Sequence, residues 1–260
     1  MIFTIAVLVT AYYMVRIWRR EKEPLGLVLI VGAALAAILE PMLDILGMAF
    51  HPRNQPILFE TYGYPMPLWV LPLYTFYMSA FTMLVWRALE RGGGPRTLWK
   101  FFGGLCFFDL VMETIGLSFD VWVYYGYQPL RIFQFPLWWA PCNAGGPVLA
   151  GIILYALRHK LPGWRSAALV VLPPISFMVS YAIVAWPTWA VLNTRLPAVV
   201  TWWGGAATLI LGAAMCWFYC HLFELARHAR TVPAPGPEVA LDEPAVSPAD
   251  LAGVGPAAIR

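Results

Sequence analysis

The chain has 260 residues, of which 60% are hydrophobic and 12% charged, with 13 Trp, 15 Phe, 12 Tyr and a formal net charge of +3. Soluble domains carry about 25% charged residues, so this composition excludes a soluble globular domain and predicts an all-α, polytopic transmembrane helix bundle. No basic groove interleaved with aromatics and no zinc knuckle accompanies the small positive charge, which excludes nucleic acid as a partner.

In chain order, Ile2 to Trp18 is apolar over the shortest length that can span a bilayer and ends in the charged run RREKEP. A signal peptide would carry its charges before the apolar run and a small-residue cleavage site after it, so this stretch is expected to remain as a first helix. Further apolar segments lie at Leu25 to Met48, Leu68 to Leu89, Leu98 to about Val123, Pro136 to Leu157, Ala167 to Trp186 and Ala198 to Leu222. Together they predict about seven spans. The run GGGPR from Gly92 to Arg96 reads as a turn between two helical hairpins, because no strand precedes it and no Gly-Lys-Ser or Gly-Lys-Thr follows. Cys106, Cys142, Cys216 and Cys220 all sit in apolar segments without CxxC spacing, and read as small buried hydrophobes. After the last span the chain turns to Pro, Ala, Gly and acids without aromatics. Residues 1–227 are therefore expected to form the transmembrane domain and 228–260 a disordered tail.

Of the 17 Lys and Arg, all but Arg53, Arg131 and Arg195 follow the first, third, fifth and seventh helices. The positive-inside rule then puts the N-terminus outside and the C-terminus in the cytoplasm, for a multi-pass protein of the inner (cytoplasmic) membrane.

The stretch DLVMETIGLSFDVWVYYGYQPLRIFQFPLWW places Asp109, Glu113 and Asp120 in otherwise apolar sequence, at a spacing that puts all three on one face of the helix expected from Leu98 to about Val123. Ionisable groups at membrane depth cost a few kcal/mol or more, so they face a protein-lined cavity. Such acids either hold helices together through polar neighbours or do chemistry. The first half of the chain echoes this stretch. LEPMLDILG carries Glu40 and Asp44, a loop with Glu60 and a Tyr-Gly-Tyr turn follows, and Pro-Leu-Trp starts the return helix; YYGYQPL and FPLWW repeat the turn and the start. The second and third helices and the fourth and fifth are thus read as parallel repeats. Acids in the outer half of each outward-running helix are expected to converge, with Glu40 and Glu113 in one cavity. Six acids beside only Arg53 and Arg131 cannot all be ion-paired, so some carry protons and suit general acid catalysis while hydrated neighbours act as bases.

Tyr64, Tyr125, Trp138 and Trp139 fall at the outer boundary. They fit either an interfacial belt or an aromatic wall around a cationic intermediate. Asn143, followed by Gly145, Gly146 and Pro147, adds a polar group on a thin, kinkable stretch that either packs closely or lines a pocket.

LEPMLDILGMAFHP, FETYGYPMPLW and YYGYQPLRIFQFPLWWAPCNAGGP together resemble the AveC-like spirocyclase family of actinobacterial membrane proteins, over roughly residues 30 to 160. The resemblance implies polyketide tailoring, closing a dihydroxy-ketone into a spiroketal. A weaker similarity is to integral-membrane terpene cyclases, which start from a protonated epoxide or alkene. Both need an acid, a base and a lipophilic substrate. The candidate catalytic set is Glu113, Glu40, Asp109, Asp44 and Asp120, with Trp138, Trp139, Asn143, Tyr125, Tyr64 and Glu60 as substrate-binding candidates. No Rossmann, haem or metal motif is present, so no cofactor and no metal are expected. A small transporter or lipid-binding protein is the non-enzymatic alternative, since membrane carboxylates also carry proton-coupled transport.

Overall fold

The computed structural model describes residues 2–231, so most of the expected tail lies outside the described residues. Helix α1 (Ile2–Glu21) turns at Pro24 into α2 (Leu25–Ala36), and a 3-10 turn (Ala37–Leu39) leads into α3 (Glu40–Gly47). The change of pitch has a local cause. Pro41 has no N–H for the carbonyl of Ala37, which instead accepts the Glu40 N–H in a 3-10 bond. The chain continues through α4 (Val70–Glu90), α5 (Pro95–Ser118), α6 (Trp139–Leu157), a 3-10 stretch (Gly163–Val171), α7 (Leu172–Val184), the short α8 (Trp186–Leu192) and α9 (Ala198–Thr231).

Five of these stretches, 25–47, 95–118, 139–160, 163–184 and 198–231, are long and apolar enough to cross a membrane. The 20 and 21 residues of α1 and α4 also have the length of a span. Outward apolar stripes are visible on several helices: Val31 and Leu35 on α2 with Ile38 in the turn that follows, Phe107, Val111 and Ile115 on α5, and Ile175, Val179 and Ile183 on α7 are all exposed. Large apolar side chains on one outward face at helical spacing are what a bilayer solvates and water does not. The protein is a multi-pass, all-α membrane bundle.

Helix α6 is the axis of that bundle. It is buried along most of its length and packs against α4, α5, α7 and α9. Small residues allow this approach: a Cβ on Gly151 would lie 2.4 Å from Val85 of α4. Helix α9 runs four residues past the expected domain boundary, because Arg230 is tied to Glu90 at 2.9 Å and lies 4.1 Å over the ring of Tyr155.

At the other end the structure adds elements that the sequence reading took as turns or helix. Strand β1 (Ala49–Phe50) is followed by the hairpin of β2 (Ile57–Thr61) and β3 (Tyr64–Pro67), and β4 (Val123–Tyr124) by the hairpin of β5 (Arg131–Ile132) and β6 (Phe135–Pro136). Strands β1 and β4 pair antiparallel, Ala49 with Tyr124 and Phe50 with Val123, so the connection after α3 is joined directly to the connection after α5.

The two units share a device at this junction. The Trp69 indole donates to Gln55 at 2.7 Å, and the Gln55 amide reaches across to the Val121 carbonyl at 3.0 Å. In the second unit the Trp138 indole donates to Gln128 at 3.2 Å, and the Gln128 amide reaches back to the Gly47 carbonyl at 2.8 Å. Each unit thereby closes the end of the other's acid-bearing helix. Gln128→Leu would orphan a buried indole N–H and a helix-terminal carbonyl, so it is expected to destabilise the protein by about 1–3 kcal/mol. Thermal unfolding in detergent measures the loss; an unchanged melting temperature would contradict the role of the brace.

Candidate functional site

The junction roofs a cavity of about 90 Å³ at the acid-bearing ends of α3 and α5. Glu40, Asp44, Asp109 and Glu113 line it, with Asn143, Tyr74, Tyr181, His51, Trp122, Tyr124 and Trp139. No Lys or Arg does. Among the half-buried lining residues are Phe3, Leu73, Phe108 and Met112, which come from α1, α4 and α5. Phe3 stacks on Trp69 there, with ring centroids 5.9 Å apart.

Each acid-bearing helix has its first carboxylate partnered by the return helix of its own unit. Tyr74 on α4 donates its hydroxyl to Oε2 of Glu40, and Asn143 on α6 donates its amide to both oxygens of Asp109 at 3.0 Å; the partners are 34 residues apart in both cases. Asn143 in turn accepts the Tyr181 hydroxyl on Oδ1, which fixes the orientation of its amide. Pro147 one turn later has no N–H for the Asn143 backbone carbonyl, which loosens α6 at this level.

The second carboxylates, Asp44 and Glu113, lie one turn further along α3 and α5. Glu113 Oε2 accepts the Trp122 indole at 2.7 Å and the Tyr124 hydroxyl at 2.9 Å. Trp122 can fold back over α5 only because residue 116 is glycine, where a Cβ would lie 1.9 Å from the ring. Asp44 faces His51, whose Nε2 is 3.4 Å from Oδ2 of Asp44 and 3.7 Å from Oε1 of Glu40. His51 is 3% exposed and Asp44 4%. The protein thus holds a buried cluster of acids and a histidine inside a membrane bundle.

Glu40, Asp44, Asp109 and Glu113, expected to converge, line one cavity. Glu40, Asp44 and Gly47 have the same spacing as Asp109, Glu113 and Gly116, so Glu40 corresponds to Asp109 and not to Glu113. Asp120 is a correction. Helix α5 ends at Ser118, Asp120 adopts a left-handed conformation (φ 50°), and its exposed side chain leaves the face of Asp109 and Glu113. Glu60 is a second correction: it is exposed on β2 and paired with Arg53 at 2.8 Å, which lowers its carboxyl below the ordinary range.

Of the aromatic candidates, Trp139 lines the cavity, together with Asn143. Trp138 does not; it is fully buried beneath the junction, where Gln128 takes its indole. Tyr64 and Tyr125 share a hydroxyl contact of 2.8 Å in a separate groove with Phe50, Pro52 and Arg53. His51 also borders that groove.

The sequence reading named neither His51 nor Tyr74, Tyr181 and Trp122 as partners of the acids. Tyr74 had a usable signal, since it follows its Pro-Leu-Trp at the same distance as Asn143. His51 had none at the level of motif. Its position depends on Met48, which ends α3 in a left-handed conformation (φ 54°) and turns the chain back toward Asp44. No protein-family model, no curated protein and no solved structure matches this chain.

The Asn143–Asp109 pair gives a direct energetic test. Asn143→Leu strips a buried carboxylate of its donor, whereas Asn143→Leu with Asp109→Leu removes both partners. The double variant is expected to be less destabilised than the sum of the singles by more than about 0.5 kcal/mol in detergent unfolding. Additive losses would mean that the two side chains do not interact.

Proposed function

We propose that the cavity is the reaction site of an intramembrane acid–base cyclase acting on the reacting end of a lipophilic molecule. The observation that carries this reading is the pair Asp109 and Glu113, one helical turn apart in an aromatic cavity, each oriented by neutral donors and neither facing a Lys or Arg. Glu113 accepts both of its hydrogen bonds on Oε2, which suits a carboxylic acid whose proton sits on Oε1. Asp109 accepts the Asn143 amide on both oxygens, which suits a carboxylate acting as base.

The resemblance to AveC-like spirocyclases supports spiroketal closure as the reaction. Glu113 protonates the hemiketal hydroxyl, which leaves as water, and the resulting oxocarbenium ion lies against the faces of Trp122, Tyr124 and Trp139. The second hydroxyl attacks the cationic carbon and gives its proton to Asp109. Transfer of that proton to Glu113 resets the site. A cavity of about 90 Å³ is smaller than the ~300 Å³ or more that encloses a drug-sized ligand. The remainder of the substrate therefore lies toward the bilayer between α1, α4 and α5. On the positive-inside distribution of Lys and Arg, the site belongs to the extracytoplasmic half.

Comparing extracts of cells that carry the wild type, Glu113→Gln or Asp109→Asn tests the chemistry. Each variant is expected to fold, with turnover reduced roughly 100-fold or more and an uncyclised precursor, heavier than the product by one water, accumulating. A stable Glu113→Gln variant with full activity would remove Glu113 as the acid. Proton-coupled uptake of a solute without any cyclised product would favour transport.

Orientation has its own test. In a chain cleared of native cysteines, Phe133→Cys and Trp164→Cys place single thiols at exposed positions near opposite ends of the bundle. An impermeant thiol reagent applied to intact cells is expected to label only Phe133→Cys, and the reverse pattern would move the site to the cytoplasmic half.

A further inference from the structure

We propose that Glu40, Asp44 and His51 form a binding site for one divalent transition-metal cation of the zinc or manganese kind, at the edge of the acid–base cavity. The cation would be bound through Glu40 Oε1, Asp44 Oδ2 and His51 Nε2. This goes beyond the acid–base reading and contradicts the expectation of a metal-free site.

The two sides of the cavity are finished differently. On the α5 side, Asp109 and Glu113 have Asn143, Trp122 and Tyr124 as partners. On the α3 side, Oδ2 of Asp44 and both ring nitrogens of His51 are buried without a hydrogen-bond partner among the described residues. Buried polar atoms are seldom left in this state unless something else satisfies them. His51 also makes no hydrogen bond to either carboxylate that it faces, at separations of 3.4 and 3.7 Å.

Those separations have another meaning. Ligand atoms about 2.0–2.1 Å from a tetrahedral metal lie roughly 3.3–3.5 Å from one another. One donor atom from each of Glu40, Asp44 and His51 falls within 4.8 Å of the other two, so small side-chain adjustments bring all three to a common centre. Two carboxylates and an imidazole favour a borderline cation over Mg²⁺, which prefers oxygen and water. The Tyr74 hydroxyl on Oε2 of Glu40 leaves Oε1 for the metal and orients the carboxylate from behind. Three protein ligands also leave a coordination position open, as catalytic rather than structural sites do. A cation held by these three residues would share the cavity with Asp109 and Glu113 and could polarise a substrate oxygen there. The groove of Pro52, Arg53, Tyr64 and Tyr125 also borders His51.

The experiment measures metal content, not activity. Full-length protein in detergent is stripped with a chelator, equilibrated with Zn²⁺ or Mn²⁺ at micromolar concentration, freed of unbound ion by gel filtration and analysed by inductively coupled plasma mass spectrometry. Melting curves are recorded in parallel. Wild type is expected to retain one equivalent per chain and to melt at a higher temperature when loaded. His51→Ala and Asp44→Asn are expected to lose at least ~10-fold in affinity, while Asp109→Asn keeps it. If the α3 variants do not fold, Co²⁺ substitution of the wild type decides, because a low-coordinate site gives strong visible absorption that hydrated Co²⁺ lacks. Folded wild type without stoichiometric metal, or His51→Ala and Asp44→Asn binding as tightly as wild type, would overturn the site. Metal-free wild type that still depends on Glu113 would remove this proposal and leave the acid–base reading standing.

Discussion

A carboxyl group inside a membrane bundle must find its hydrogen-bond partners within the protein, and much of this structure follows from that requirement. Four such groups converge at one cavity on α3 and α5, and among the described residues no Lys or Arg lines it to neutralise them. Neutral donors do the work instead. Tyr74 and Asn143, at equivalent places on α4 and α6, take the first acid of each unit, and Trp122 and Tyr124 take Glu113. Neutral donors hold a carboxyl in place without fixing its charge, which leaves protons free to move between neighbours.

The same requirement explains the short strands. The connections after α3 and α5 carry backbone groups at one end of the bundle, next to the buried cavity. Pairing β1 with β4, and passing two glutamine amides across the junction, satisfies them without water. It also sets the two units in fixed register over the cavity, so that the acid-bearing ends of α3 and α5 face each other.

Composition and apolar runs sufficed to read the helical membrane class, because bilayer thickness imposes a length that sequence records directly. The four cavity acids were legible for a related reason: an ionisable residue in an apolar helix has few permitted positions. Asp120 was misread because helical periodicity was carried past Ser118, where the closing of Trp122 over Gly116 takes the chain out of the helix. Glu60 and Tyr64 were misread because a loop's path is set by hairpin pairing, which motif similarity does not encode. His51 was invisible as a site residue because a single left-handed residue, Met48, decides where it lies. Trp138 and Trp139, adjacent in sequence, have opposite fates, one as a brace and one as a wall, and only the pitch of α6 separates them.

The convergence of the two units is the premise of every functional statement above, and a disulfide across the β1–β4 pair tests it most directly. Directly opposed residues of an antiparallel pair have Cβ atoms about 4.5–5.5 Å apart, close enough for a bond after slight adjustment. With native cysteines replaced by alanine, Phe50→Cys with Val123→Cys should cross-link under mild oxidation in native membranes, detected as a shift in gel mobility that reductant reverses. A pair that stays reduced in folded protein would mean that α3 and α5 do not bring their acids to one cavity.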